Sequence, residues 1–296
     1  MSKSLKTQEY ESSLTKKGKT MLFISRFAVY TILILLSVIC LFSFYMLIIN
    51  SSRTHADLQN GFKGLPSNYF VENFKSAWND STINIPRGML NSLIIAASSS
   101  ILTTYFSALT AYGIHCYDFK GRKAASTFIL AVMMIPGQCS IVGFIQMCNK
   151  FGLIDSYLPL IVPSIAAPVV YFYMKQYMDS VLPLEIVEAA RVDGSGEFRT
   201  FNQIVLPILK PAIAVQMIFS FVGSWNNYFT PALLINKQEL HTVPMMMATL
   251  RSADFLKFDR GKQYMFILLA IVPVMIVYFI LSKFIIKNVT AGAVKG

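Results

Sequence analysis

Charge is scarce in this chain. Charged residues make up 14% of its 296 positions, against about 25% in an ordinary soluble domain, while hydrophobic residues reach 54% and the mean hydropathy is +0.53. That balance excludes an ordinary soluble enzyme or scaffold and implies several bilayer-embedded segments. Apart from Arg26 near one end, the interiors of the apolar runs hold no Asp, Glu, Lys, Arg or His. A carrier coupled to protons or sodium is therefore disfavoured, since such carriers keep an ionisable or ion-coordinating group at depth. No GxxxxGK[ST] stretch is present, so the chain has no phosphate-cradling loop of that kind and its energy must come from a partner. Cys40, Cys116, Cys139 and Cys148 form no CxxC pair, which supplies neither a disulfide framework nor a zinc site. His55, His115 and His241 are far apart in sequence and read as loop residues without a ligand role. The net charge of +11 comes from basic residues that flank the apolar runs, with no aromatic-interleaved patch, so a membrane surface is a better anionic neighbour than nucleic acid.

Six runs are long and apolar enough, or nearly so, to cross a ~30 Å hydrocarbon layer, which takes ~20 residues of helix. They cover approximately 23–49, 89–113, 124–148, 157–175, 208–234 and 264–286. Each must be helical, because lipid offers no partner to unpaired backbone groups. The reading is an all-α polytopic membrane protein with six transmembrane helices. The first run is too long for a signal peptide and lacks a small-residue cleavage site, so it reads as an uncleaved anchor. Lys3, Lys6, Lys16, Lys17, Lys19 and Arg26 place the N-terminus in the cytoplasm, as Lys120, Arg122 and Lys123 do for the next short loop. Six spans return the C-terminus, with Lys283, Lys287 and Lys295, to the same side. Pro136-Gly137, Pro159, Pro163, Pro168, Pro231 and Pro273 interrupt the runs as kinks or gates, with Pro136-Gly137 the best candidate for a functional break.

The most specific signal lies between two apolar runs. Residues 188–207 read EAARVDGSGEFRTFNQIVLP and fit Glu-Ala-Ala, three residues, Gly, nine residues, Ile-x-Leu-Pro at every fixed position. Pro183 suits a helix's first turn and Glu185 and Glu188 its positive end, predicting a short helix over 183–192. Gly194 is placed to end it in the left-handed conformation, and a second helix follows from near Ser195 toward Leu206, where Pro207 interrupts the pattern. Ala189 and Ala190 leave a low-relief surface, edged by Glu188, Arg191 and Asp193.

This pattern resembles the coupling loop of the membrane subunits of bacterial ABC importers, and the resemblance narrows to sugar permeases of the maltose-transporter type. Asn91-Ser92-Leu93, Ala111-Tyr112, Phe119-Lys120-Gly121-Arg122, Met134-Ile135-Pro136-Gly137, Gly152-Leu153-Ile154-Asp155, Ser224-Trp225-Asn226-Asn227 and the tail Thr290-Ala291-Gly292-Ala293-Val294-Lys295-Gly296 are similar to theirs; Asn227 stands where the family often has Asp. The resemblance implies a type I importer permease (MetI-like) fold: a cytoplasmic tail over 1–22, a first transmembrane helix over 23–49, an extracytoplasmic loop over 50–88, a permease core over 89–286 with the coupling loop at 176–207, and a cytoplasmic tail over 287–296. It implies a bacterial plasma-membrane protein that imports a sugar or oligosaccharide by alternating access and performs no covalent chemistry. Its partners would be a second permease in a heterodimer, two ATPase subunits and an extracytoplasmic solute-binding protein. The chain would bind no cofactor, and ATP and Mg would belong to the ATPases. Glu188, Ala189, Ala190, Arg191, Asp193, Gly194, Ile204, Leu206 and Pro207 would form the ATPase-coupling surface.

Gln138, Gln146, Ser224, Asn226 and Asn227 offer hydrogen bonds to a sugar in transit, and Trp225 a stacking face; interhelical bonding explains the same polar residues. Phe70, Phe74 and Trp78, four apart, read as an interfacial helix, with a binding-protein contact as the alternative. His241, Pro244 and Met245-Met246-Met247, in loop 235–263, resemble the segment that faces the binding protein; methionines equally fill gaps in packing. An importer for peptides or ions would keep the coupling loop but lack the AGAVKG tail and the Trp225-Asn226-Asn227 region. A secondary carrier or membrane enzyme would need intramembrane ionisable groups or inverted repeats, and neither is found.

Overall fold

The computed structural model describes residues 16–252 and 259–293, which contain helices and turns and no strand. The N-terminal residues with Lys3 and Lys6, positions 253–258, and the closing Val294, Lys295 and Gly296 lie outside the described residues. In chain order, α1 (Lys16–Ser51) leads to two short helices, α2 (His55–Gln59) and α3 (Phe70–Trp78), and then to the long α4 (Ile85–Cys116). Next come α5 (Arg122–Val132), a 3-10 turn at Gly137–Ser140 and α6 (Ile141–Lys150). A fragmented stretch follows: α7 (Leu158–Ile161), a 3-10 turn at Val162–Ile165 and α8 (Pro168–Val181). A helical hairpin follows, made of α9 (Leu184–Val192), α10 (Glu197–Thr200), a wide π turn at Phe201–Val205 and α11 (Leu206–Ile208). Finally, α12 (Lys210–Trp225), α13 (Phe229–Leu234), α14 (Val243–Ser252) and α15 (Arg260–Ala293) complete the chain.

Four helical stretches are long and apolar enough to cross a membrane: Thr20–Ser51, Ile85–Cys116, Leu158–Val181 and Arg260–Phe284. Two bent pairs would bring the number to the expected six if each is one span: Arg122–Val132 with Gly137–Lys150, bent by 84°, and Glu197–Ile208 with Lys210–Trp225, bent by 82°. The first bend falls at Met133–Pro136, as the Pro136-Gly137 pair predicts. The fifth segment differs from its expected extent of 208–234. Its straight part is the 16-residue α12, about 24 Å long at 1.5 Å per residue, and the chain breaks at Asn226–Tyr228 before α13. Pro273 also differs from expectation, because α15 runs through it unbroken.

The prolines of the fourth segment have a specific remedy. The segment leaves helical geometry at Ala166 and Ala167 and α8 starts anew at Pro168, so the Ser164 carbonyl stands at a helix end. Thr103 Oγ1, on α4, donates to that carbonyl at 2.8 Å. Ser99 and Ser107, one turn to either side on the same face of α4, donate to the carbonyls of Leu160 and Ala167 at 3.3 and 3.5 Å. A broken span is thereby held by hydroxyls of its neighbour, the arrangement that lets proline persist in lipid.

Two apolar cores form along α4, which packs between α12 and α8. One gathers Tyr112, Met174, Met178, Val187, Phe201, Val205 and Leu209. The other gathers Ile85, Phe221, Trp225, Val243, Met246, Met265 and Phe266. The first contains residues of the hairpin and the second those of the 243–250 region, so the two ends of the molecule are separately consolidated. At the second end Gly261 permits close approach: a Cβ there would stand 2.2 Å from the Arg53 carbonyl and 2.8 Å from the Asn73 amide nitrogen. Asn73 Nδ2 itself donates to the carbonyls of Ser51 and Arg53, both at 2.8 Å, tying α3 to the end of α1.

Candidate functional site

The hairpin from Leu184 to Ile208 is built as a closed unit. Pro183 precedes α9 in an extended conformation, one residue outside the predicted start, and Glu185 lies in the first turn. Gly194 takes φ +76°. The Gly194 amide donates to Arg191 O at 3.0 Å and the Ser195 amide to Ala190 O at 2.9 Å, the paired bonds that close a helix through a left-handed residue. That closure turns the chain so that Arg191 meets Glu197, Nε to Oε1 at 2.7 Å. Tyr112 of α4 donates to the other carboxylate oxygen at 2.7 Å, and the Arg191 guanidinium stands 5.1 Å over the Tyr117 ring. The Arg191 bond holds the Glu197 carboxyl down at about 2, against the effect of desolvation, with Tyr117 and Tyr112 adding to it. The second arm does not stop at Pro207. The Leu206 amide reaches back to Phe201 O, and this wide turn precedes the proline and the sharp bend into α12.

Burial divides the hairpin into a base and an exposed face. Val187, Phe201, Val205 and Leu209 are buried in the first core, and Ala190 is buried beside the turn. Ala190 is therefore inside, 5% exposed, and the expected low-relief surface rests on Ala189 without it. Glu188, Ala189, Arg191, Asp193, Gly194 and Pro207 are exposed, and Ile204 and Leu206 are half-buried along the second arm. Val192 is 88% exposed and Phe198 69%. These two apolar residues escape the sequence reading, which weighed only the fixed positions of the pattern. Glu197 and Tyr112 escape it too, because they meet Arg191 only after the turn forms.

The polar residues expected along a pathway fall on two stretches, the bent third segment and the end of α12. Gln138 and Gln146 are exposed on the bent third segment, and Asn226 is exposed past the end of α12. Ser224 is half-buried, and Asn227 Oδ1 accepts from the Thr230 amide at 3.3 Å, turning the chain into α13. Trp225 is 3% exposed. It stacks on Phe221 with ring centroids 5.7 Å apart, and its indole N–H donates to Ala270 O at 3.2 Å. A cavity of about 490 Å³ beside it is lined by Asn226, Pro244, Met247, Gln263 and Ile271.

At the second end, the short motifs act as anchors for one loop. Asn91 Nδ2 donates to the carbonyls of Glu239 and His241, both at 2.9 Å, and Ser92 Oγ accepts from the Val243 amide at 2.8 Å. Asp155, at φ +58° in the turn after Gly152, accepts from the amides of Lys237 and Asn236 at 2.9 and 2.5 Å. Those amides hold its carboxyl below the usual range. The loop they pin borders a polar cavity of about 1090 Å³ that includes Arg87, Lys237, Glu239 and His241. Met245 and Met246 are buried in packing. Phe70, Phe74 and Trp78 form one side of α3, with Phe74 and Trp78 stacked at 5.6 Å, while Asn73 and Ala77 face inward.

The histidines are not all in loops: His55 opens α2, and His115 ends α4 with Nδ1 2.7 Å from Asp179. Among the described residues no group of three or more His, Cys, Asp or Glu is placed to hold a metal.

Comparison with known proteins identifies the architecture. Residues 101–291 match the family described as binding-protein-dependent transport system inner membrane component. The arabinooligosaccharides transport system permease protein AraQ of Bacillus subtilis (strain 168) is 31% identical over 92% of this chain and 96% of its own length. The diacetylchitobiose uptake system permease protein NgcG of Streptomyces coelicolor is 31% identical over 89% and 87%. The maltodextrin transport system permease protein MdxG of Bacillus subtilis is 30% identical over 94% and 99%. A crystal structure of a bacterial ABC transporter involved in the import of the acidic polysaccharide alginate superposes with a TM-score of 0.73 at 18% identity, covering 91% of this chain and 98% of that one. The fold is thus that of the MetI-like ABC importer permeases, and the chain belongs to the binding-protein-dependent transport system inner membrane component family, with permeases of carbohydrate ABC importers as its relatives.

Proposed function

We propose that this chain is the translocating subunit of an ATP-driven importer for a sugar or oligosaccharide, coupled to its ATPase through the hairpin from Leu184 to Ile208. The observation that carries the reading is the division of that hairpin. Its base is fused to the ends of α4 and α8 by Val187, Phe201 and Val205, while Glu188, Val192 and Phe198 stand exposed on the other face. A buried base transmits displacement to the spans, and an exposed apolar pair rimmed by charge suits a cleft on another protein. Basic residues in the N-terminal tail and in the Lys120–Lys123 turn support a cytoplasmic position for both, and counting six spans from there assigns this hairpin and the C-terminus to the same side.

In this reading two ATPase subunits close on ATP and draw the hairpins of this chain and a companion permease together. The spans then pass from inward-facing to outward-facing, and hydrolysis resets them. Coupling requires that the two conformations fit the ATPase dimer unequally, because a partner indifferent to them shifts no population. An extracytoplasmic binding protein delivers the solute. The named relatives carry arabinooligosaccharides, diacetylchitobiose and maltodextrin, and an uncharged oligosaccharide fits spans without ionisable interiors. ATP and Mg reside on the ATPases, and this chain makes and breaks no covalent bond.

The test is hydrolysis and uptake by the assembled transporter. Glu188→Arg and Phe198→Asp are expected to abolish substrate-stimulated ATP hydrolysis, and a bulky replacement of Gly194 to do the same, with membrane insertion intact. Normal ATPase assembly and labelled-oligosaccharide uptake in these variants would remove the coupling role. Uptake of peptides or ions and no oligosaccharide by the unaltered complex would remove the substrate class.

A further inference from the structure

A cavity of about 750 Å³ opens at the start of α5, lined by Ile114 and Asp118 at the end of α4, by the Phe119–Ala124 turn, and by Ser126 and Lys175. Such a volume lies within the ordinary range of small-ligand pockets, roughly 300–1,000 Å³. Three cations line it, Arg122, Lys123 and Lys175, against one carboxylate, Asp118. Gly121 precedes α5 at φ +94° and no side chain caps the helix; the Arg122 amide is spent on Phe119 O at 3.1 Å, so Lys123 and Ala124, both of which line the cavity, carry the amides that the helix start offers. Arg122 is oriented by a bond from Nη2 to His115 O at 3.1 Å, and Lys175 by Asp179, with Nζ 2.5 and 2.7 Å from its two carboxylate oxygens. Lys123 is exposed at the rim. Ile114, Phe119 and Ala124 add an apolar wall, and Phe119 is exposed.

We infer that this cavity holds the phosphoryl headgroup of an anionic phospholipid of the inner leaflet. A basic pocket at a membrane's cytoplasmic edge recognises that chemistry. The mixed lining favours lipid over a free anion: cations and helix amides meet the phosphate, while Ile114 and Phe119 meet the first carbons of the chains. Lys175 lies on α8, which leads directly to the coupling hairpin, so a bound headgroup would bridge the α4–α5 turn to the segment that carries it. The inner-leaflet assignment rests on the orientation proposed above.

Native mass spectrometry of the full chain in mixed micelles of phosphatidylglycerol and phosphatidylcholine tests the site whichever way the protein faces, because micelles expose both ends. The expected result is preferential retention of phosphatidylglycerol. Lys123→Gln should weaken it about fivefold and Arg122→Gln with Lys123→Gln about twenty-five-fold, at about 1 kcal/mol per cation, while Lys123→Arg retains it. No preference between the two lipids, or a preference unchanged in the single and double variants, would overturn the inference. Displacement by inorganic phosphate at the concentration that saturates with lipid would overturn the lipid assignment and leave a phosphate site. Orientation is read separately, by labelling Lys120→Cys in intact cells with a membrane-impermeant thiol reagent after replacing the four native cysteines: labelling from outside would sink the orientation alone.

Discussion

Single residues in this protein often serve a backbone defect elsewhere in the chain. Thr103 is the plainest case, since its hydroxyl donates to the Ser164 carbonyl at the helix break before Pro168. Thr103→Val keeps the shape and removes the donor. The expected loss is about 1 kcal/mol, above the ~0.6 kcal/mol mean for interhelical bonds in membranes because the freed carbonyl has no second donor in its own helix. Thermal unfolding in detergent should show a lowered midpoint for Thr103→Val and a near-normal one for Thr103→Ser; equal midpoints for all three proteins would remove the compensating role. Glycines obey the same local logic with a different currency. A methyl group at Gly261 would drive into the Arg53 backbone, whereas at Gly88 the obstruction is the flexible end of Met246. Gly261→Ala should therefore cost about 1–3 kcal/mol and Gly88→Ala less, a ranking readable in the same unfolding assay.

At the scale of elements, the hairpin is held by a charge pair that its own turn creates. Glu197 is depressed from its ordinary 4.5 to about 2 by Arg191. A depressed acid contributes stability that is fully present above the unfolded value and disappears as pH falls through the folded one. Wild type and Glu197→Gln should thus differ in unfolding midpoint at neutral pH and converge between about 4.5 and about 2; a constant difference across that window would locate the pair's contribution elsewhere. This pair also marks the limit of what the sequence discloses. The Glu-Ala-Ala pattern, Gly194 and Pro183 prescribe a helix, a left-handed stop and a second arm, and all three are found. Whether Ala190 faces in, or Arg191 faces Glu197, depends on how the turn rotates two short arms against α4, and Tyr112 lies 85 residues away. The same limit applies to Trp225, whose neighbourhood suggests a stacking face until Phe221 and Ala270 are seen to enclose it. Proline is legible only in context: Pro136 bends its segment by 84°, yet Pro273 sits inside a continuous helix.

For the whole molecule, the third segment decides what the isolated chain lacks. α5 and α6 pack on few neighbours, and between them Met134 is 82% exposed and Val142 63%. Gln138 and Gln146 are exposed on the same stretch, so two of the polar residues offered to a pathway share one bent element with uncovered apolar side chains. In water such a surface would be an aggregation site; in a permease it meets lipid or a companion subunit. The two environments share a physical consequence, because neither accommodates an unpaired cation at depth. Val142→Lys should cost about 2.5–3.5 kcal/mol if the segment lies within the bilayer, reducing the amount of chain recovered in the membrane fraction and in the assembled transporter. Phe151 is 68% exposed, as open as Val142, but it follows Lys150 beyond the last turn of α6. Phe151→Lys should leave both quantities unchanged. Equal recovery of the two variants would mean that the bend at Pro136 carries Val142 out of the apolar layer, and that the third segment enters the membrane without crossing it.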